Sequence, residues 1–307
     1  MTITAGMVKD LREKTGAGMM DCKSALAETQ GDVEAAIDLL RKKGLAKAAK
    51  KGGRIAADGL IGLAVSGGKG AIVEVNSETD FVARGDQFQA FVRNVSQLVL
   101  KADGDLDRLL AASYPGGGTT QEALTNLIAK LGENMSIRRS AALSASPGVV
   151  ASYVHNAIGP DLGKIGVLVA LESSADATKL AALGKQIAMH IAAASPIAVS
   201  AADVPADVVA RERAIFADQA RESGKPANVI EKMVEGRLRK FYEEQVLLQQ
   251  TFVIDGETQV SKVLENAAKE LEAKVQVKGF LRFQVGEGID KPTTDFAAEV
   301  KATAGGR

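Results

Sequence analysis

Two short apolar runs joined by a glycine-rich turn constrain this chain more than any other feature. Residues 59–65 read as a strand, Ser66-Gly67-Gly68-Lys69-Gly70 as a turn and residues 71–75 as the partner strand, so the segment closes as an antiparallel hairpin. The order returns further on. Ala151-Ser152-Tyr153-Val154-His155, a glycine-bearing turn over 156–163 and the apolar run 164–171 repeat strand, turn and strand, which predicts two related subdomains side by side. Further strands are expected around 137–143 and 275–285. Helical patterns cover 86–102, 120–131, 175–194 and 261–273, and the fold class is therefore α+β.

A chain of 307 residues can bury a sizeable core and suggests two or three domains. Its 38 basic and 38 acidic residues balance, which argues against a general nucleic-acid binder and makes any such role local. No membrane segment is expected: the longest uncharged stretch, 140–160, carries Ser, Pro, Gly, Asn and His and spans a bilayer poorly. Lys9, Asp10, Arg12, Glu13 and Lys14 leave no room for an apolar leader, so no secretory signal is expected. The single cysteine, Cys22, excludes an intramolecular disulfide and suits a reducing cytoplasm.

The first fifty residues predict three short helices. They break at Thr15-Gly16-Ala17-Gly18 and at Gly31-Asp32, where Asp32 is placed to cap the third, and the third is expected to end at Gly44. From Arg41 to Arg54 every charge is basic. The run could serve as an RNA-contacting arm, but Ala and Gly interrupt it and no aromatic residue offers a stacking platform, so a solvated linker is the preferred reading. After Pro205, Ile230, Val234, Leu238 and Phe241 recur at helical spacing, and Val209, Ile215 and Phe216 form a looser stripe before Gly224-Lys225-Pro226. Two antiparallel helices forming a coiled-coil hairpin are the expectation.

Nothing in the sequence asks for catalysis. Gly67-Gly68-Lys69-Gly70 lacks the leading glycine and trailing hydroxyl residue of a phosphate loop, and Gly286-Glu287-Gly288 lacks the third glycine of a dinucleotide fingerprint. The two histidines, His155 and His190, stand far in sequence from Cys22, so no metal or cofactor site is expected. What remains is Asn76-Ser77-Glu78-Thr79-Asp80-Phe81-Val82-Ala83-Arg84, where the second strand of the first hairpin delivers a carboxylate and a large ring side by side into a polar loop. Two readings stay open on the residues alone: Asp80 caps the next helix while Phe81 enters the core, or the pair is an exposed apolar wedge with a polar guide.

Thr79-Asp80-Phe81-Val82-Ala83 behind Glu74-Val75-Asn76, with Thr15-Gly16-Ala17-Gly18-Met19-Met20-Asp21-Cys22-Lys23, resembles the bacterial translation elongation factor Ts family. Ile137-Arg138-Arg139, Gly166-Val167-Leu168-Val169, Ile187-Ala188-Met189-His190, Met233-Val234-Glu235-Gly236-Arg237 and Val285-Gly286-Glu287-Gly288 extend the likeness along the chain. The resemblance implies a guanine-nucleotide exchange factor, not an enzyme, that binds the GTPase elongation factor Tu in the cytoplasm and has neither cofactor nor small-molecule substrate of its own. It implies partner contacts at Thr79, Asp80, Phe81 and Val82, which displace the partner's Mg²⁺ and disturb its phosphate site. Arg12, Met19 and Met20 contact the partner from the N-terminus, and His155 is a further candidate, although the turn after it is longer than the family's pattern. The implied organisation is a module like ubiquitin-associated domains with its basic linker over 1–54, a core N-subdomain over 55–145 and a core C-subdomain in two parts, 146–198 and 248–282. The helical hairpin is inserted over 199–247, used in some members for self-association, and a C-terminal module follows over 283–307. There Thr294-Asp295-Phe296-Ala297 repeats the triplet, and a terminal helix over 295–301 docks on the partner.

Overall fold

The alternation at 59–75 closes as expected. In a computed structural model, which describes residues 3–15, 17–222 and 224–290, β1 (Asp58–Ser66) and β2 (Lys69–Ser77) pair antiparallel from Asp58 opposite Ser77 to Ser66 opposite Lys69. β3 (Met135–Ser144) adds to the free edge of β2. The second repeat forms its own sheet: β4 (Gly148–His155) pairs with β6 (Ile165–Glu172), and β6 with β7 (Gln276–Gln284), all antiparallel. Between β4 and β6 lies β5 (Leu162–Gly163), which pairs with β1 opposite Ile61 and Gly62. The long turn after His155 thus crosses over and stitches the second repeat to the edge of the first sheet.

The two sheets lie face to face, not side by side as their sequential repeat suggested. Ile61, Leu63 and Ile72 of the first pack against Val150, Leu168 and Ala170 of the second. A side chain at Gly166 would meet Ile61 at 2.5 Å, so glycine there sets how closely the sheets approach. Each outer face is covered by helices. Leu60, Ala71, Val73, Val75 and Ile137 pack under α5 (Asp86–Ala102), α6 (Leu106–Ala111) and α7 (Thr120–Leu131). Val149, Val167, Val169 and Leu171 pack under α8 (Ala177–Ala194) and α11 (Val260–Glu270). With both faces covered, β2 and β6 are buried almost throughout, which is why β6 reads as a nearly continuous apolar run, whereas β2 also buries Glu74, Asn76 and Ser77.

The N-terminal helices α1 (Ala5–Thr15), α2 (Met19–Glu28) and α3 (Val33–Lys51) enclose a small core of Val8, Leu11, Cys22, Ala25, Leu26 and Ala36. Asp32 caps α3 by accepting from the Ala35 N–H at 3.0 Å. α3 does not stop at Gly44. It continues through most of the stretch read as a linker because its second half has tertiary partners: Ala129 of α7 beside Gly44, the core cluster around Ala48, and Glu122 paired with Arg41.

After Pro205, α9 (Ala206–Arg221) and α10 (Ala227–Gln245) form a helix pair sealed by Ala220, Val234 and Leu238. At its foot, Phe241 and Tyr242 pack with Ala198, Val204 and Val246. Leu238 and Phe241 are thus used inside the molecule. The expected helix over 295–301 and the Thr294-Asp295-Phe296-Ala297 repeat lie outside the described residues.

Candidate partner-binding site

β2 ends at Ser77, and a five-residue helix, α4 (Asp80–Arg84), follows at once. The capping residue is Thr79, not Asp80: its hydroxyl accepts from the Val82 N–H at 3.5 Å, and Asp80 takes the first helical position, where a carboxylate suits the helix dipole. One turn of helix presents successive residues to different sides. Ala83 is buried, Val82 is half-buried against the core under α5, and Phe81 points away with 85% of its surface exposed. Phe81 therefore contributes almost nothing to this chain's own core, and the reading that buried it is wrong. Asp80 pairs with Arg84 at 3.3 Å, but both are well exposed and such a pair is worth little.

The ring is carried on a braced support. Glu133, in the loop after α7, accepts from the Thr79 N–H at 3.1 Å and from the Thr79 hydroxyl at 2.6 Å. Glu78 accepts from the Asn134 N–H at 2.6 Å and pairs with Arg54 at 3.4 Å, while the Asn134 side-chain amide donates to the Arg54 carbonyl at 2.6 Å. On the other side, the Gln89 side chain donates to the Arg84 carbonyl at 2.8 Å and accepts from Arg93 at 3.0 Å. Glu133, Asn134 and Arg54 carry no sequence signal for this role, since each is an ordinary polar residue distant along the chain. Glu78 adjoins the motif and could have been suspected.

The remaining expected contacts are all on the surface. Met19 and Met20, at the first turn of α2, are 60% and 73% exposed, and Arg12 is exposed on α1 of the same module. Unbranched, polarizable side chains so placed suit a recognition surface. His155 is exposed at the end of β4, its Nδ1 3.2 Å from the Tyr153 hydroxyl. The turn that follows it brings Gly159 against Arg93 and Gln89, so His155 belongs to the end of the core that carries α4. Arg12, Met19 and Met20 stand apart, on the helical module. His190 is different in kind. It is buried, its Nδ1 accepts from the Val253 N–H at 3.2 Å, and Nε2 lies 2.9 Å from the Gln250 side-chain oxygen, which assigns the ring proton to Nε2. Burial pushes its pKa below the ordinary 6.5 against the smaller opposing effect of Gln250.

Comparison with known proteins gives this geometry a context. The family model described as Elongation factor TS matches residues 78–287, beginning at the foot of α4. Elongation factor Ts of Rhodospirillum rubrum is 63% identical over 302 residues, 98% of each chain. The proteins of the same name from Rhodospirillum centenum and Agrobacterium fabrum are 60% and 56% identical, each over 99% of both chains. Identity at this level along the whole length leaves one conclusion: the chain belongs to the elongation factor Ts family of translation elongation factors.

Proposed function

We propose that this chain promotes GDP release from the GTPase elongation factor Tu in the cytoplasm, with the Asp80–Phe81 tip as the element that acts on the nucleotide site. The observation that carries the reading is a phenylalanine 85% exposed on a short helix whose support is hydrogen-bonded from two sides, by Glu133 and Asn134 of the loop after α7 and by Gln89 of α5. An exposed ring that contributes almost nothing to its own fold, carried on a braced helix, suits burial in a partner. Inserted between elements of the GTPase, it would shift the groups that hold the Mg²⁺ ion and cradle the phosphates. Loss of that ion removes the largest charge compensating the diphosphate.

No chemistry on this chain is required. A factor that binds the nucleotide-free partner better than the loaded one lowers nucleotide affinity by the same factor by which nucleotide lowers its own. Accelerating release about ten-thousandfold takes roughly 5.5 kcal/mol, and burying one Phe supplies only ~1.5–3 kcal/mol. Additional contacts must hold the complex while the tip acts, which is the role proposed for Arg12, Met19 and Met20, with His155 as a further contact. Stopped-flow release of a fluorescent GDP from elongation factor Tu, with and without this chain, tests the reading. A release rate that does not rise with the chain's concentration would reject it.

A further inference from the structure

Three residues before β2 ends, the same strand buries a carboxylate. Glu74 is fully buried, and among the described residues it alone forms ion pairs with no exposure on the acidic side. Its Oε1 accepts from the Asn76 side-chain amide at 3.0 Å, from Arg138 at 3.1 Å and from the Gly286 N–H at 2.8 Å; its Oε2 accepts from Arg138 at 3.2 Å and Arg139 at 2.6 Å. Two neighbouring residues of a strand normally point to opposite faces. Here a bulge lets both arginines reach one carboxylate: Glu74 faces Arg139 and Val75 faces Ile137, leaving Arg138 as the extra residue.

The arginines then reach beyond the first sheet. Arg139 donates to the Gln284 carbonyl at 3.1 Å and to Glu287 at 3.2 Å, with its guanidinium 4.2 Å from the centre of the Phe283 ring, and Arg138 donates to the Glu287 carbonyl at 2.6 Å. Gly286 closes the turn with φ +71°, where a side chain would lie 2.3 Å from the Ala57 carbonyl oxygen at the start of β1. Burial would raise the Glu74 carboxyl, but the Gly286 amide, Asn76 and Arg139 together hold it below the ordinary carboxylate value. A buried carboxylate paired with partly exposed arginines is often no more stabilising than apolar residues of the same volume, which leaves room for another role.

We propose that Glu74, with Arg139 as its bridging partner, is a positioning residue for the Asp80–Phe81 tip: it ties the strand that carries the tip to β3 and to the turn after β7, so that both sheets resist when the tip is pushed. The inference rests on the exchange role proposed above. A wedge converts binding energy into displacement of its partner only if its own base does not yield. Loosening the tie leaves every contact surface in place and lowers the conversion.

The test is Arg139→Gln, which removes the guanidinium that links Glu74 to the Gln284 carbonyl and the Glu287 side chain, while leaving Arg138 on Glu74 and on the Glu287 carbonyl. GDP release from elongation factor Tu is measured over a range of factor concentrations, with a denaturant titration of the free variant. The expected result is a folded protein whose maximal release rate falls about five- to twentyfold while its half-saturating concentration changes less than about twofold. Arg139→Lys keeps a cation on Glu74 but not the fork that spans to Gln284, and is expected to lie between wild type and Arg139→Gln. A wild-type maximal rate, or a loss confined to the half-saturating concentration or to stability, overturns the proposal. If Arg139→Gln does not fold, Arg139→Lys is judged by the same split. Phe81→Ala run in parallel separates the two ideas: an active Phe81→Ala protein rejects the tip itself, whereas an inactive one beside an unimpaired Arg139→Gln rejects only the tie.

Discussion

Exposure keeps Phe81 out of this chain's own core. A ring 85% exposed loses almost nothing from the free protein when it is removed, so Phe81→Ala should unfold within ~0.5 kcal/mol of wild type. If burying the ring on the partner lowers the barrier by ~1.5–3 kcal/mol, the same variant should release GDP roughly 10- to 150-fold more slowly at saturation. Denaturant titration and release kinetics on one preparation give both numbers, and a large stability loss with normal release would reverse the assignment. His190 behaves oppositely, as a residue of the fold. Its folded pKa lies below the ordinary 6.5, so the neutral ring is the native form. The stability it contributes is present above about pH 6.5 and is lost as pH falls below that value, because the unfolded chain then binds a proton that the folded chain resists. Unfolding midpoints between about pH 5 and 8 should therefore fall more steeply toward acid in wild type than in His190→Gln, which has no proton to bind. Parallel pH profiles would show that His190 is not the titrating group.

The helix pair α9 and α10 buries its own stripe. Leu238 is 3% exposed against Ala220 and Val234, so the seam is filled from within the molecule. Leu238→Asp should reduce helix content by circular dichroism before it affects anything else, since an unpaired charge cannot be kept in that seam. The self-association implied for this element then falls to its outer surface, where Ile215 is 38% exposed. If this chain self-associates through that surface, Ile215→Asp should lower the sedimentation coefficient of the free protein at high concentration with helix content unchanged. A variant that melts instead would place Ile215 in the packing. Elements such as α5, α7 and the first hairpin were legible because their signals are local: periodicity, a turn and a helix stop within a few residues. α3 was not, because the reason it passes Gly44 lies in Glu122 and Ala129. Likewise a strand buried on both faces reads as apolar throughout and does not say what covers it, so two sheets packed face to face could be read as neighbours. At the site, Asp80 and Phe81 stand out in sequence, whereas Glu133, Asn134 and Arg54 become visible only when the chain is folded around them.

At the scale of the whole molecule, the N-terminal module and the tip share structural members. Arg54 ends the basic stretch, yet it pairs with Glu78 and its carbonyl receives the Asn134 amide, so the last residue of the apparent linker braces the tip. Truncation therefore has two separable effects. The sheets and their covering helices enclose apolar clusters of their own, and a chain lacking 1–54 should still fold. Its melting temperature should be lower than wild type, because Ala48 and the pairing partner of Glu122 leave with α3 and the outer side of α7 becomes exposed. Removing only residues 1–52 deletes Arg12, Met19 and Met20 but keeps Arg54. Both truncations should raise the concentration needed for half-maximal GDP release, since both lose Arg12, Met19 and Met20, the docking contacts proposed above. The larger deletion alone should also lower the maximal rate, because it alone unties Glu78 and Asn134. Exchange titrations of the two proteins side by side decide this. Equal maximal rates would confine the brace at Arg54 to stability, and an unchanged half-saturating concentration would remove Met19 and Met20 from the interface.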